Sequence, residues 1–213
     1  MARPLPPRPF LYPIVDVAAL GERAVGSVVA ALVGGGAKVV QFRAKGLPDR
    51  RFLELAADAL AAARAGGAAL IVNDRPDVAL ILGADGVHLG QDDLDPRAVR
   101  TLLPPGALLG VSTHNLEQLE RAAGERVDYL AIGPVFPTRS KAAPDPVVGL
   151  EMVRRARALA PGRLVAIGGI TEENARSVVD AGADGVAVIS ALLGQADLSA
   201  AIRRLEVAMG AGR

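Results

Sequence analysis

Short apolar runs alternate with longer stretches whose apolar residues recur at helical spacing, and the alternation persists along the chain. Phe10 to Val15 is an apolar run ending at Asp16; Val25, Val28, Val29 and Leu32 then follow a helical period that Gly34-Gly35-Gly36 stops. Segment 47–67 carries the clearest helix, with Phe52, Leu53, Leu55, Ala56, Ala59 and Leu60 recurring at helical spacing, Pro48 near its first turn and Gly66-Gly67 at its end. Further strand-like runs at 37–43, 68–74, 84–90, 107–113, 127–133, 163–169 and 183–190 are each followed by a helical pattern. Such alternation implies a parallel sheet covered by helices. Eight evenly spaced units in 213 residues, with no second domain, predict an α/β fold of the closed (β/α)8 TIM barrel type rather than an open doubly wound sheet. The barrel is expected over 10–213, behind a mobile proline-rich arm at 1–9. A weak repeat runs through GADGVHLG, RVDYLAIG and GADGVAVI in the fourth, sixth and eighth units, each with an aspartate just ahead of the strand.

Composition narrows the function classes. The chain has 24 basic and 23 acidic residues, a net charge of +1, which provides no electrostatic footprint for nucleic acid. Aromatics are only 3%, too few for a platform that stacks single strands. Having no cysteine excludes disulfides, a thiolate nucleophile and thiolate metal sites. No run reaches the length of a membrane span, and the start lacks an apolar h-region, so a cytoplasmic protein without a membrane partner is expected. The basic residues are nearly all arginine; Lys38, Lys45 and Lys141 are the only lysines.

In a barrel of this kind chemistry belongs at the C-terminal ends of the strands. There the unusual residues gather: Gln41, Arg43 and Lys45 on one side of the second strand by period two; Asn73-Asp74 after the third; His88 and Asp92-Asp93 at the fourth; Ser112 and His114 at the fifth. Several have ordinary alternatives. Asp74 could cap the third helix, Asp92-Asp93 could be turn residues, and Asp95 before Pro96 reads as a helix cap. His88, inside a strand, reads as a packed or orienting residue, whereas His114 at a strand end stays open. Two carboxylates from different strand ends, without a histidine cluster, suit a hard cation such as Mg2+. Gly168-Gly169, Gly185 and Ile189-Ser190 follow the last two strands, a region that often holds phosphate in barrels, although paired glycines also make ordinary tight turns. The long stretch from Pro134 to Val147 carries Thr138, Arg139, Ser140 and Lys141, as either a lid over phosphate groups or a solvated loop. Together these residues could serve a diphosphate and a second phosphate.

The ordered set QFRAK, VNDRPDVAL, GADGVHLGQDDL, GVSTH, GPVFPTRSK, VGLE, AIGGI and AGADGVAVIS resembles the thiamine-phosphate synthase family, from the second strand to the eighth. The resemblance implies a transferase that joins a hydroxymethylpyrimidine diphosphate to a thiazole phosphate, forming thiamine phosphate and releasing diphosphate. By motif it implies that Gln41, Arg43, Lys45 and Asn73 hold the pyrimidine diphosphate, and that Asp74 and Asp93 ligate Mg2+. Ser112 would contact the pyrimidine, Lys141 the diphosphate, and Thr138, Ser140, Gly169, Ile189 and Ser190 the thiazole phosphate. Arg43, Lys45 and Lys141 would be the catalytic cations. The chain departs from the family in two places. Ala44 replaces a frequently acidic residue, at a position expected to point away from the site, and PTRSK replaces a commoner run of threonines.

A related thiazole tautomerase shares the barrel, with His114 as the candidate acid/base, but needs no diphosphate equipment. The joint presence of Arg43, Lys45, Asp74, Asp93 and Lys141 argues against it. A non-catalytic phosphate sensor would need a partner surface, and no extra domain or tail provides one.

Overall fold

The computed structural model describes residues 3–138 and 145–210. Its strands are β1 (Phe10–Asp16), β2 (Val39–Arg43), β3 (Ala69–Asn73), β4 (Gly86–Leu89), β5 (Leu108–Thr113), β6 (Tyr129–Ile132), β7 (Arg163–Ile167) and β8 (Gly185–Val188). Each pairs in parallel with the next, and β8 pairs with β1 to close the barrel. The helices are α1 (Val25–Gly35), α2 (Asp49–Ala65), α3 (Pro76–Leu82), α4 (Pro96–Leu102), α5 (Leu116–Ala123), α6 (Gly149–Leu159), α7 (Ala175–Asp180), α8 (Ser190–Leu193) and α9 (Leu198–Met209). Alternate strand residues separate into two cores, as the period of two requires. Phe10, Tyr12, Ile14, Val39, Ile71, Tyr129 and Val165 fill the barrel interior. Leu11, Val15, Val40, Phe42, Leu70 and Val72 face the helices and pack with Val29, Leu32 and Phe52.

Two local expectations change. The periodicity missed α8, one short turn closed by amides of Leu192 and Leu193 donating to the Ile189 carbonyl at 3.1 and 2.8 Å. The helical pattern after the seventh strand, EENARSVVDAG, opens at Glu172, but the Asn174 carboxamide accepts from the Thr171 amide at 2.8 Å and holds 171–174 as a turn, so α7 begins at Ala175. The cap readings divide. Asp95 does cap α4, accepting from the Arg97 amide at 2.8 Å with Pro96 in the first turn. Asp74 does not cap α3, whose N-cap position is Arg75 without a side-chain cap.

The repeated aspartates have one shared task. Asp85, Asp128 and Asp184 stand immediately before β4, β6 and β8 or at their mouths. Each accepts from the first free amide of the preceding strand: Leu70 at 2.9 Å, Leu109 at 2.7 Å and Leu164 at 2.9 Å. Each aspartate's own amide donates back to the same residue's carbonyl, at 2.8–3.0 Å. The carboxylate thus completes a ladder one position before the next strand begins, satisfying an amide that would otherwise be buried unpaired. The arm, expected to be mobile, is tied to this end of the barrel. The Arg3 amide donates to Asp85 at 2.9 Å, Arg8 Nη1 to Asp184 at 3.1 Å, and Leu5 packs against the interior core.

Candidate active site

The opposite end of the barrel holds a cavity of about 530 Å³. Its wall includes Gln41, Arg43, Lys45, Asn73, Asp74, Asp93, Ser112, Thr138, Gly169, Ile189 and Ser190, so these sequence-predicted residues are brought to one place. Ser140, Lys141 and Arg139 lie outside the described residues.

β2 supplies its polar face as the period of two requires. Gln41, Arg43 and Lys45 reach the cavity while Ala44 is buried in the helix-facing core, which explains why a small residue is accepted there. Arg43 is held from behind by the buried Asp16 at the end of β1, whose other oxygen accepts from the Ala18 amide at 3.1 Å. Sequence reasoning passed over Asp16, because one acid after an apolar run looks like an ordinary strand end. Its register opposite Arg43 is the missing information.

Asp74 follows β3 and is the only described non-glycine residue with positive φ, 64°. Its amide donates to the His88 carbonyl at 2.8 Å, and Lys45 Nζ lies 3.1 Å from its carboxylate. Burial, and after it the neighbouring Asp93 carboxyl, push the Asp74 carboxyl above the usual carboxylate range, with Lys45 pulling the other way. Asp93 also accepts from the Gly90 amide at 2.7 Å, so it braces the turn after β4 as well as lining the cavity. No group of three or more histidine, aspartate or glutamate side chains able to hold a metal occurs among the described residues. Two adjacent carboxylates beside open space nevertheless fit Mg2+, which takes few protein oxygens and completes its shell with water and phosphate. They do not form an all-protein cage.

The Gly168-Gly169 pair has its own packing cause. Both have positive φ, 101° and 65°, and a Cβ on either would lie 2.4 Å from the chain at Pro134 or Pro137. The 134–137 segment can therefore cross over β7, with the Val135 and Phe136 amides donating to Ile167 and Gly168 carbonyls at 2.9 and 3.0 Å. The two glycines serve a tight crossing and leave the cavity wall next to Ile189 and Ser190 free of side chains.

Both histidines line the cavity. His114 Nδ1 donates to the Gly133 carbonyl at 2.7 Å, and Nε2 lies 3.5 Å from Asp145. His88 is buried with Ser112 Oγ 2.8 Å from Nε2 and the Tyr129 hydroxyl 3.0 Å from Nδ1, in keeping with an orienting residue. Tyr12 and Tyr129, absent from the sequence reading, lie beneath it with hydroxyls 2.8 Å apart, and burial pushes both phenols well above their ordinary range.

A parallel (β/α)8 barrel whose described strand ends collect Arg43, Lys45, several aspartates and a glycine-lined wall is built as an enzyme for phosphorylated small molecules. Comparison with known proteins is more specific. A family profile described as thiamine monophosphate synthase matches residues 11–192, and the chain belongs to that family. It is 49% identical over 189 residues to the thiamine-phosphate synthase of Koribacter versatilis, covering 87% of this chain and 89% of that one. The Roseiflexus castenholzii enzyme of the same name is 45% identical, with 93% and 87% covered. The solved structure of thiamine phosphate pyrophosphorylase from Pyrococcus furiosus superposes with a TM-score of 0.84 at 36% identity, over 95% of this chain and 96% of that one.

Proposed function

We propose that the chain condenses 4-amino-2-methyl-5-hydroxymethylpyrimidine diphosphate with a thiazole phosphate, giving thiamine phosphate and diphosphate. The observation that carries this reading is the meeting, in one cavity of a chain of this family, of Arg43 and Lys45 with the Asp74 and Asp93 pair. In the proposed reaction the bond between the pyrimidine methylene carbon and the diphosphate oxygen breaks first, its electron pair leaving on oxygen. The thiazole nitrogen then donates its lone pair to that carbon. Charge accumulates on the leaving diphosphate, so the main catalytic task is to neutralise it, and a general base is secondary. Arg43, fixed by Asp16, presents a planar fork to phosphate oxygens, while Lys45 offers a mobile ammonium. Gln41, Asn73 and Ser112 are assigned to the pyrimidine half, and Thr138, Gly169, Ile189 and Ser190 to the thiazole phosphate. Lys141 and Ser140 keep the diphosphate and thiazole phosphate roles their motif implies. Asp74 and Asp93 would hold Mg2+, which when bound supplies positive charge to the diphosphate oxygens. Both substrates are anions that do not cross membranes unaided, and we place the reaction in the cytoplasm.

The test is formation of thiamine phosphate and diphosphate by the purified chain from the two substrates, with and without Mg2+. Product that depends on Mg2+ is expected. No product from the folded chain would overturn the assignment, and full activity in chelator would remove the metal role of Asp74 and Asp93.

A further inference from the structure

Five side chains from five strands form one unbroken hydrogen-bond chain along the cavity floor. Gln41 Nε2 donates to the Tyr12 hydroxyl at 3.2 Å, and that hydroxyl meets the Tyr129 hydroxyl at 2.8 Å. Tyr129 meets His88 Nδ1 at 3.0 Å, and His88 Nε2 meets Ser112 Oγ at 2.8 Å. Gln41, Tyr12, His88 and Ser112 line the cavity, and the two tyrosines are only 1% exposed. The middle is also held sterically. Tyr129 stacks on His88, stands edge-on to Tyr12 and covers Gly110, where a Cβ would lie 2.0 Å from its Cζ.

A phenol has one proton, so the direction of one link sets the direction of the next. The Tyr12 oxygen accepts from Gln41, and its own buried proton goes to Tyr129. The Tyr129 proton then goes to His88 Nδ1, because either phenolic proton left unpaired in this interior would forfeit a hydrogen bond. His88 consequently carries hydrogen on Nε2 and donates it to Ser112 Oγ. Polarity emerges at both ends of the chain. Ser112 keeps its hydroxyl proton to offer to the cavity, and Gln41, with one of its two amide hydrogens given to Tyr12, is oriented with Oε1 available as an acceptor.

We propose that Tyr12, Tyr129 and His88 are positioning residues that leave Ser112 a hydroxyl proton to donate and fix the Gln41 carboxamide with Oε1 free to accept, and so favour a ring bearing both an exocyclic amine and a ring-nitrogen acceptor. This deepens the aminopyrimidine reading above and rests on it. A ring with a keto oxygen in place of the amine would set one acceptor against another at Gln41 Oε1 and bind less well.

The experiment reads the tautomer and the kinetics separately. The chain has two histidines, so imidazole 15N spectra of the whole protein are assignable with His114→Asn. The expected wild-type result is His88 protonated at Nε2 and bare at Nδ1. Tyr129→Phe, which keeps the ring and removes the relay, should release that tautomer into a mixture. It should also raise KM for the pyrimidine diphosphate about tenfold, leave KM for the thiazole phosphate unchanged, and weaken discrimination against the oxo analogue. A purely structural tyrosine would lower thermal stability without that split. If Tyr129→Phe does not fold, Tyr12→Phe interrupts the relay at the neighbouring link and is read in the same way. His88 protonated at Nδ1 in the wild type overturns the proposal, as does a variant with unchanged tautomer and KM. If the folded wild type makes no product, the proposed reaction fails and ring selection fails with it, while the tautomer still decides the polarity of the chain.

Discussion

The three aspartates at the closed end of the barrel allow a graded stability prediction, because they do the same job under different exposure. Asp184 is the most heavily used. Its side chain is 4% exposed, accepts from the Leu164 amide at 2.9 Å and pairs with Arg157 at 2.7 Å and Arg8 at 3.1 Å. Asp184→Ala orphans a buried amide, at about 1–3 kcal/mol, and removes the carboxylate from a partly buried guanidinium. Arg157 and Arg8 are 27% and 69% exposed, so water recovers part of the ion-pair loss, leaving about 3 kcal/mol in all. Asp85 serves Leu70 at 2.9 Å and the Arg3 amide at 2.9 Å, with the Arg3 guanidinium only at 3.8 Å, and its removal should cost about 2 kcal/mol. Asp128 is 38% exposed, so its carboxylate gives up less on removal and water recovers part of the loss, and the cost should fall to about 1 kcal/mol. At roughly 2–4 °C per kcal/mol for a chain of this size, Tm should drop by about 10, 6 and 3 °C in that order. Calorimetry on the three alanine variants measures the series. Asp184→Asn, which keeps an acceptor for Leu164 but loses the charge, should recover about half of the largest drop. Equal losses at Asp128 and Asp184, or a full recovery in Asp184→Asn, would refute the reasoning.

Two further predictions concern the open end. Asp74 has a folded-state carboxyl raised mainly by burial and Asp93, so it binds its proton more tightly folded than unfolded, and its contribution to stability falls as pH rises through that window. Asp74→Asn should therefore raise the metal-free Tm at pH 7, lose that gain in acid where the wild-type carboxyl is protonated in both states, and abolish turnover; an unchanged Tm difference across pH would sink the assignment. Asp16→Ala frees Arg43 from its buried partner and should raise KM for the pyrimidine diphosphate about tenfold with little effect on that for the thiazole phosphate, and equal changes in both constants would deny Asp16 a positioning role.

How much was legible in the sequence depended on whether a signal was local. Alternating periodicity is local, and it placed the strands that make the barrel. Strand ends are local too, which is why Gln41, Arg43, Lys45, Asn73, Asp74, Asp93 and Ser112 could be named and prove to share a cavity. Asp16 and the tyrosines escaped because their significance is relational. An inward tyrosine on β1 reads as core until another from β6, 117 residues away, is found 2.8 Å from its hydroxyl. The repeated aspartates were visible as a repeat, yet their role depends on the offset between neighbouring strands, which spacing along the chain does not encode. The arm read as loose because a proline-rich segment has no internal ladder; its partners, Asp85 and Asp184, belong to distant strand mouths.

Arg43 and Lys45, the two cations that line the cavity among the described residues, are prepared differently, and the difference bears on the proposed reaction. Arg43 is mostly covered, at 18% side-chain exposure, and its partner Asp16 is buried, so ordering this guanidinium was accomplished when the barrel formed. Lys45 is 60% exposed, and its partner Asp74 is already pushed towards neutrality by burial and then by Asp93. An arriving diphosphate meets one cation it can dock against without rearrangement and one it must win from a carboxylate. If Asp74 and Asp93 held Mg2+ as proposed, the metal would supply the neutralising charge in place of Lys45, and the ammonium would be free for the anion. On this arrangement the acidic pair and Lys45 act as one exchange unit, so removing either acid should weaken the pyrimidine diphosphate through Lys45 as well as through the metal. The effects of Asp93→Asn and Lys45→Ala should then be less than additive, and strict additivity in the double variant would show that the two act independently.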